Sequence, residues 1–239
     1  YFRGPANRWV ELDPETIWYD LHDEVGEGME TVANANQSFT AAEYVNGRIF
    51  AAGADGYLYT TVHGQWASYQ KVGRFTGTTD AIADMALNFR DGKLYALDTQ
   101  NTLYTIDRTT GKLTQVAVLS APPLDEWSSA PEFRTLAIDD EGNFYTINSG
   151  GSTTAFLYRF TLEDVSDGAI TGLTPVNPQA PCGVWSFTTE SMAWDHNQDR
   201  LYLASAYSTM DIDNKLYVVD TQTGIATPVN PDYAGAVSY

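Results

Sequence analysis

Apolar and polar residues alternate in short runs along this chain, and the runs are cut by Asn-Gly, Asp-Gly, Glu-Gly and Thr-Gly. Alternation with period two marks strands that bury one face. Asn, Asp and Gly tolerate the positive φ of tight hairpins, so the cuts read as turns between antiparallel neighbours. Apolar residues at helical spacing do not persist over any useful length. The clearest stretch predicts four successive strands: Ala83–Phe89, Lys93–Asp98, Thr102–Asp107 and Leu113–Leu119.

The strand pattern repeats. An offset of 94 pairs Tyr1 with Tyr95, Asn7 with Asn101, Trp9 with Leu103, Asp13 with Asp107 and Thr16 with Thr110. "DNKLYVVDTQTG" (213–224) echoes "QNTLYTIDRTTG" (100–111). "ADGYLYTTVHG" (54–64) and "TAFLYRFTLED" (154–164) are looser copies. A second word, an apolar residue followed by a small one, precedes them at Ala41-Ala42, Met85-Ala86, Leu136-Ala137, Met192-Ala193 and Val237-Ser238. Its copies start at 41, 85, 136, 192 and 237, which are 44, 51, 56 and 45 residues apart. Periods of about 40–50 residues with several strands per unit are the mark of a β-propeller.

The expected fold is therefore all-β: one domain over 1–239, a five-bladed propeller of four-stranded antiparallel blades. Blades 1 to 4 span 38–75, 81–119, 131–176 and 189–229. Blade 5 takes outer strands from 1–25 and its inner strand from 234–239, so both chain ends close it. Such closure removes open sheet edges. The small residue in the second word suits a strand crowded at the axis. The repeated "LY" places one residue toward each face of a sheet, one of the pair packing between blades, so most of the Tyr read as structural.

Composition narrows the partners. Thirteen Lys and Arg against 31 Asp and Glu give a net charge of −18. Nucleic acid is disfavoured, since phosphates need a basic footprint, and so is an anionic membrane surface. No run reaches transmembrane length, which predicts no direct membrane insertion. The single Cys182 forms no internal disulfide and reads as a small buried residue. The opening lacks Met and a signal peptide and starts in mid-pattern, which predicts a piece of a larger multidomain chain.

"LYALDTQNTLYTIDRTTGKL" and "LYVVDTQTG" resemble the propeller repeats of secreted bacterial cell-surface proteins. The resemblance covers nearly the whole chain but is one of blades. It implies the fold and an extracellular or cell-surface setting, and brings no catalytic motif.

Catalytic signatures are missing from the residues as well. There is no GxSxG elbow, P-loop or HExxH, and "GEGMET" lacks a third glycine and its strand–helix setting. His63 and His196 fall in short turns and read as solvated. Function more often lives on long loops, and here these all emerge on one face. They carry Phe75, Trp127, Trp185 and Tyr233, the carboxylates Asp80, Asp84, Glu132 and Glu190, and Arg134. Aromatic rings beside carboxylates suit sugars, stacking on C–H faces while oxygens accept from hydroxyls. The same rings could equally wedge between blades. Asp84 and Glu190 approach the axis and would suit acid–base hydrolysis of glycosides at the right separation. At that position carboxylates also serve to bind backbone N–H groups. Asp211, Asp213 and Asn214 in "MDIDNK" offer alternating oxygens for calcium, without the Gly and closing Glu of a full loop. Asx turns explain the same residues.

The expected function is a non-catalytic extracellular module that binds a glycan or a protein on the long-loop face. The alternatives are a carbohydrate-active enzyme using axial carboxylates, and a structural spacer.

Overall fold

The structure, a computed structural model, describes residues 2–4, 8–12, 18–20, 25–27, 29–34, 37–65, 68–124, 129–149, 155–184, 189–206 and 215–229. The first five strands are β1 (Phe2–Gly4), β2 (Arg8–Leu12), β3 (Trp18–Asp20), β4 (Val25–Glu27) and β5 (Met29–Asn34). They make a three-stranded sheet in the order β1-β2-β5 and a separate β3-β4 hairpin. Four larger sheets follow. The first holds β6 (Phe39–Val45), β7 (Arg48–Gly53), β8 (Tyr57–Val62) and β9 (Gln70–Arg74). The second holds β10 (Ile82–Asn88), β11 (Lys93–Asp98), β12 (Thr102–Ile106) and β13 (Leu113–Leu119), each end within one residue of the sequence expectation.

The third blade opens with a broken strand, β14 (Glu132–Phe133) and β15 (Ala137–Ile138), which both pair with β16 (Phe144–Ser149). β17 (Leu157–Phe160) follows, and Val176 N–H closes the outer edge by donating to Leu157 O at 2.8 Å. β18 (Ala169–Ile170) leaves its own blade and pairs in parallel with β13 of the second. The fourth blade is β19 (Thr189–Asp195), β20 (Arg200–Ala206), β21 (Lys215–Val219) and β22 (Ala226–Pro228).

Among the described residues the blade count is four, not the five read from the repeats. The repeat itself is present in the N-terminal sheet: Phe2 pairs with Val10 as Ala96 pairs with Tyr104, 94 residues on. Both copies also slip register at one place, between Trp9 and Val10 and between Leu103 and Tyr104. Among the described residues that sheet has no inner strand. Sequence words count hairpins, whereas a blade is defined by a first strand on the axis, and the strands that meet there are β6, β10, β15 and β19. The segment 234–239, expected to supply a fifth, lies outside the described residues.

The core lies between blades. Tyr95, Leu97, Leu103, Phe133, Phe144, Tyr158 and Phe160 are buried together between the second and third. Val45, Phe50, Leu58, Met85, Leu94 and Tyr104 fill the space between the first and second. Burying a side chain of this size contributes about 1.5–3 kcal/mol. Cys182 is buried in the third cluster, with Met192 and Leu203.

Candidate functional site

First strands of a propeller present one unpaired backbone edge to the axis, and buried N–H groups there need acceptors. In this chain two carboxylates supply them. Asp84 Oδ1 accepts from Met85 N–H at 2.9 Å. Asp84 Oδ2 accepts from Leu136 N–H at 2.9 Å and from Met192 N–H at 3.4 Å. Met85, Leu136 and Met192 occupy the same position in their repeats, so three equivalent donors from three blades converge on one carboxylate. Glu43 does the same between the first two blades. Its Oε1 accepts from Tyr44 N–H at 2.7 Å and its Oε2 from Leu87 N–H at 3.3 Å. Glu43 stands where the other repeats have Leu87, Ile138 and Trp194, and a lone charge in an apolar slot was the signal that could have revealed it.

Asp84 is only 3% exposed, and burial, reinforced by the Glu43 charge, raises its carboxyl from 3.8 to about 8 against the pull of its three donors. Glu43 keeps part of its surface open to solvent, and desolvation by the surrounding strands raises it from 4.5 to about 7; Asp84 is the more deeply enclosed of the two. A carboxylate this enclosed and this fully bonded stitches strands. It does not face a solvent-filled cavity. The pairing of Asp84 with Glu190 as acid and base therefore fails at Asp84; of Glu190 the backbone alone is described, paired with Ser205.

The other predicted site residues separate. Phe75, 9% exposed, belongs to the core between the first two blades and offers no face to a sugar ring. Asp80 is exposed and caps a local turn, with Thr78 Oγ1 donating to Oδ2 at 3.3 Å and Asp80 N–H donating to Thr78 Oγ1 at 3.0 Å. Glu132 is exposed and paired with Arg134 Nη2, while Arg134 Nη1 donates to Thr99 O at 2.7 Å. Asn101 fixes the same long loop from the second blade. Its Nδ2 donates to Pro131 O at 3.1 Å and its Oδ1 accepts from Phe133 N–H at 2.7 Å. Asp80 is thus tied within its own turn, Arg134 to the second blade and to Glu132, and Asp84 to the inner strands. Trp127, Trp185, Tyr233 and the calcium candidates Asp211, Asp213 and Asn214 lie outside the described residues. Among the described residues, no group of three or more His, Cys, Asp or Glu could hold a metal ion.

The short-turn face is more organised than its sequence implies. Phe89, 53% exposed, packs on His196 with ring centroids 3.8 Å apart, and His196 Nδ1 pairs with Asp140. These three residues come from three different blades, so His196 is an inter-blade contact and not the solvated turn residue expected. Arg90 Nη1 adds a bond to Glu141 O at 3.0 Å. On the first blade the exposed Tyr44 meets His63 edge-on at 5.8 Å.

Among the described residues, no helix is long and apolar enough to cross a membrane. No family model matches the chain, and no curated protein matches it. Solved structures do. A crystal structure of a nidogen/laminin complex aligns with a TM-score of 0.55 at 7% identity, covering 92% of this chain and 73% of that one. A structural-genomics protein of unknown function from Bacteroides thetaiotaomicron aligns with a TM-score of 0.53 at 12% identity, covering 82% of this chain and 44% of that one. At such identities the likeness is one of fold alone, all-β, antiparallel and propeller-like.

Proposed function

We propose that this chain is a non-catalytic binding module, acting outside the cytoplasm, that takes a glycan or protein ligand on its long-loop face. The observation that carries the reading is the saturation of Asp84: the titratable group nearest the expected catalytic position is committed to backbone N–H groups of three blades. A glycosidase needs two carboxyl groups free to reach substrate. A binder needs a face held still by its scaffold, and the Asn101 and Arg134 bonds hold one long loop to the neighbouring blade.

The test is a glycan array probed with the chain, an Arg134→Ala variant and a Trp127→Ala/Trp185→Ala double variant, each checked for folding by circular dichroism. Binding by the parent and its loss in folded variants supports a glycan site on this face. Absence of binding across the array removes the glycan and leaves the protein ligand. Release of reducing ends from any bound glycan, abolished by Glu190→Gln, overturns the non-catalytic reading in favour of the carbohydrate-active enzyme.

A further inference from the structure

Both axial carboxylates divide their bonds in the same way. In Glu43, Oε1 takes the local donor, Tyr44 N–H, and Oε2 takes the cross-blade donor, Leu87 N–H. In Asp84, Oδ1 takes the local donor, Met85 N–H, and Oδ2 takes both cross-blade donors, Leu136 and Met192 N–H. Two side chains thereby link all four inner strands: Glu43 joins β6 to β10, and Asp84 joins β10 to β15 and β19. A carboxyl group protonated on its local oxygen keeps a carbonyl oxygen for the cross-blade bonds. Neutralisation is therefore compatible with every stitch between blades. Ionisation of both groups instead sets the charge of the half-buried Glu43 against that of the buried Asp84, which is costly at Asp84.

The surroundings offer little relief. β6 contributes Glu43 itself and β10 contributes Asp84. Just before β15 comes Leu136, next to the Thr135 hydroxyl, which is engaged with Ile147 N–H and Met192 Sδ at 2.9 Å each. From β19 comes Met192, and Glu190 falls two positions earlier on that strand. Arg134, the nearest charge before β15, is turned to Thr99 O and Glu132. Among the described residues, no Lys, Arg or His bonds to either axial carboxylate.

We propose that Glu43 and Asp84 form a proton-dependent clasp of the ring, in which at least one of the pair must carry a proton for the four inner strands to be held together most firmly. The sign follows from linkage. Both groups are raised in the folded state, so between their ordinary range and about 7–8 the folded chain holds a proton that the unfolded chain has released. Stability is then greatest at the acid end of this window and falls as pH rises through it. For one proton the unfolding constant grows about tenfold per pH unit inside the window.

Chemical unfolding of the chain between about pH 5.5 and about pH 8.5 tests the clasp, because this range brackets the change that linkage demands. The parent is expected to lose stability steadily. Asp84→Asn and Glu43→Gln are expected to flatten the profile. Asp107→Asn, at an exposed turn whose carboxylate is held down to about 2, leaves the slope as in the parent and separates the clasp from general charge repulsion. Should Asp84→Asn fail to fold, infrared spectra of the parent near neutral pH give the answer directly. The carbonyl stretch of a protonated carboxylic acid is expected there, and Glu43→Gln should shift its titration. A flat or rising stability profile in the parent, an unchanged slope in both folded axial variants, or no protonated carboxyl band below about pH 7 overturns the proposal.

Discussion

The phenol of Tyr95 donates to Asp91 at 2.7 Å, that of Tyr59 to Asp55 at 2.7 Å, that of Tyr145 to Asp139 at 2.9 Å and that of Tyr104 to Asp98 at 3.1 Å. Each pairs the Tyr of a strand with an acid in or beside the turn just before it, four or six residues back. A ring between blades can thus be buried while its hydroxyl stays bonded. Part of the chain's acidity is explained this way, as turn chemistry. Asp107 and Asp220 act similarly, accepting from Thr109 N–H at 2.8 Å and Gln222 N–H at 2.8 Å. Tyr95→Phe should cost about 1 kcal/mol in urea unfolding, because Asp91 is left near water. Asp139→Ala should cost more, about 2–3 kcal/mol, since Asn143 and Tyr145 lose their shared buried acceptor. Equal costs for the two variants would show that burial of the acceptor is not what matters.

Elements meet closely at a few backbone positions. Gly73, near the end of β9, faces the turn after β12, where an added Cβ would lie 2.0 Å from Thr110 O. The chain passes here with Leu113 N–H donating to Thr76 O at 2.9 Å, a stitch between the first two blades. Gly73→Ala should destabilise by about 2 kcal/mol or more, as overpacking against backbone cannot relax cheaply. Gly47→Ala meets nothing within 4 Å but sits at φ +81°, so strain alone should cost about 1 kcal/mol. Thermal unfolding of the two variants separates contact from conformation, and a Gly73→Ala as mild as Gly47→Ala would argue against the close approach. The stray β18 belongs to the same scale. It leaves its own blade to cover the open edge of β13, which shields that edge from strangers.

For the whole molecule, a net charge of −18 with turn acids distributed around the ring means self-repulsion that salt should screen. Raising ionic strength from about 10 mM to about 0.2 M should raise Tm by several degrees, because the Debye length shrinks below the spacing of many surface charges. A Tm insensitive to salt would place the charges in local pairs instead. The axial clasp answers to protons and this surface term to salt, so the two can be varied independently.

The strands of the second blade were legible in the sequence almost to the residue, because alternation and Gly-bearing turns are local and each hairpin carries its own signal. The 94-residue repeat was legible too, and the backbone keeps it down to the same register slip. Blade number was not, since a repeat word reports a hairpin and only three-dimensional pairing decides whether a first strand stands on the axis. The site divided along the same line. Sequence marked Asp80, Glu132 and Arg134 as loop residues because Gly-, Pro- and polar-rich stretches between strands are a local signal. It could not say that Phe75 turns into the core, that Phe89 crosses to His196, or that the N–H groups of Met85, Leu136 and Met192 converge on Asp84. Apart from the Met85 bond to its neighbour, the bonds to Asp84 and the Phe89–His196 contact join residues about fifty to a hundred positions apart. Their energies depend on burial and distance, which exist only once the four inner strands have been brought together.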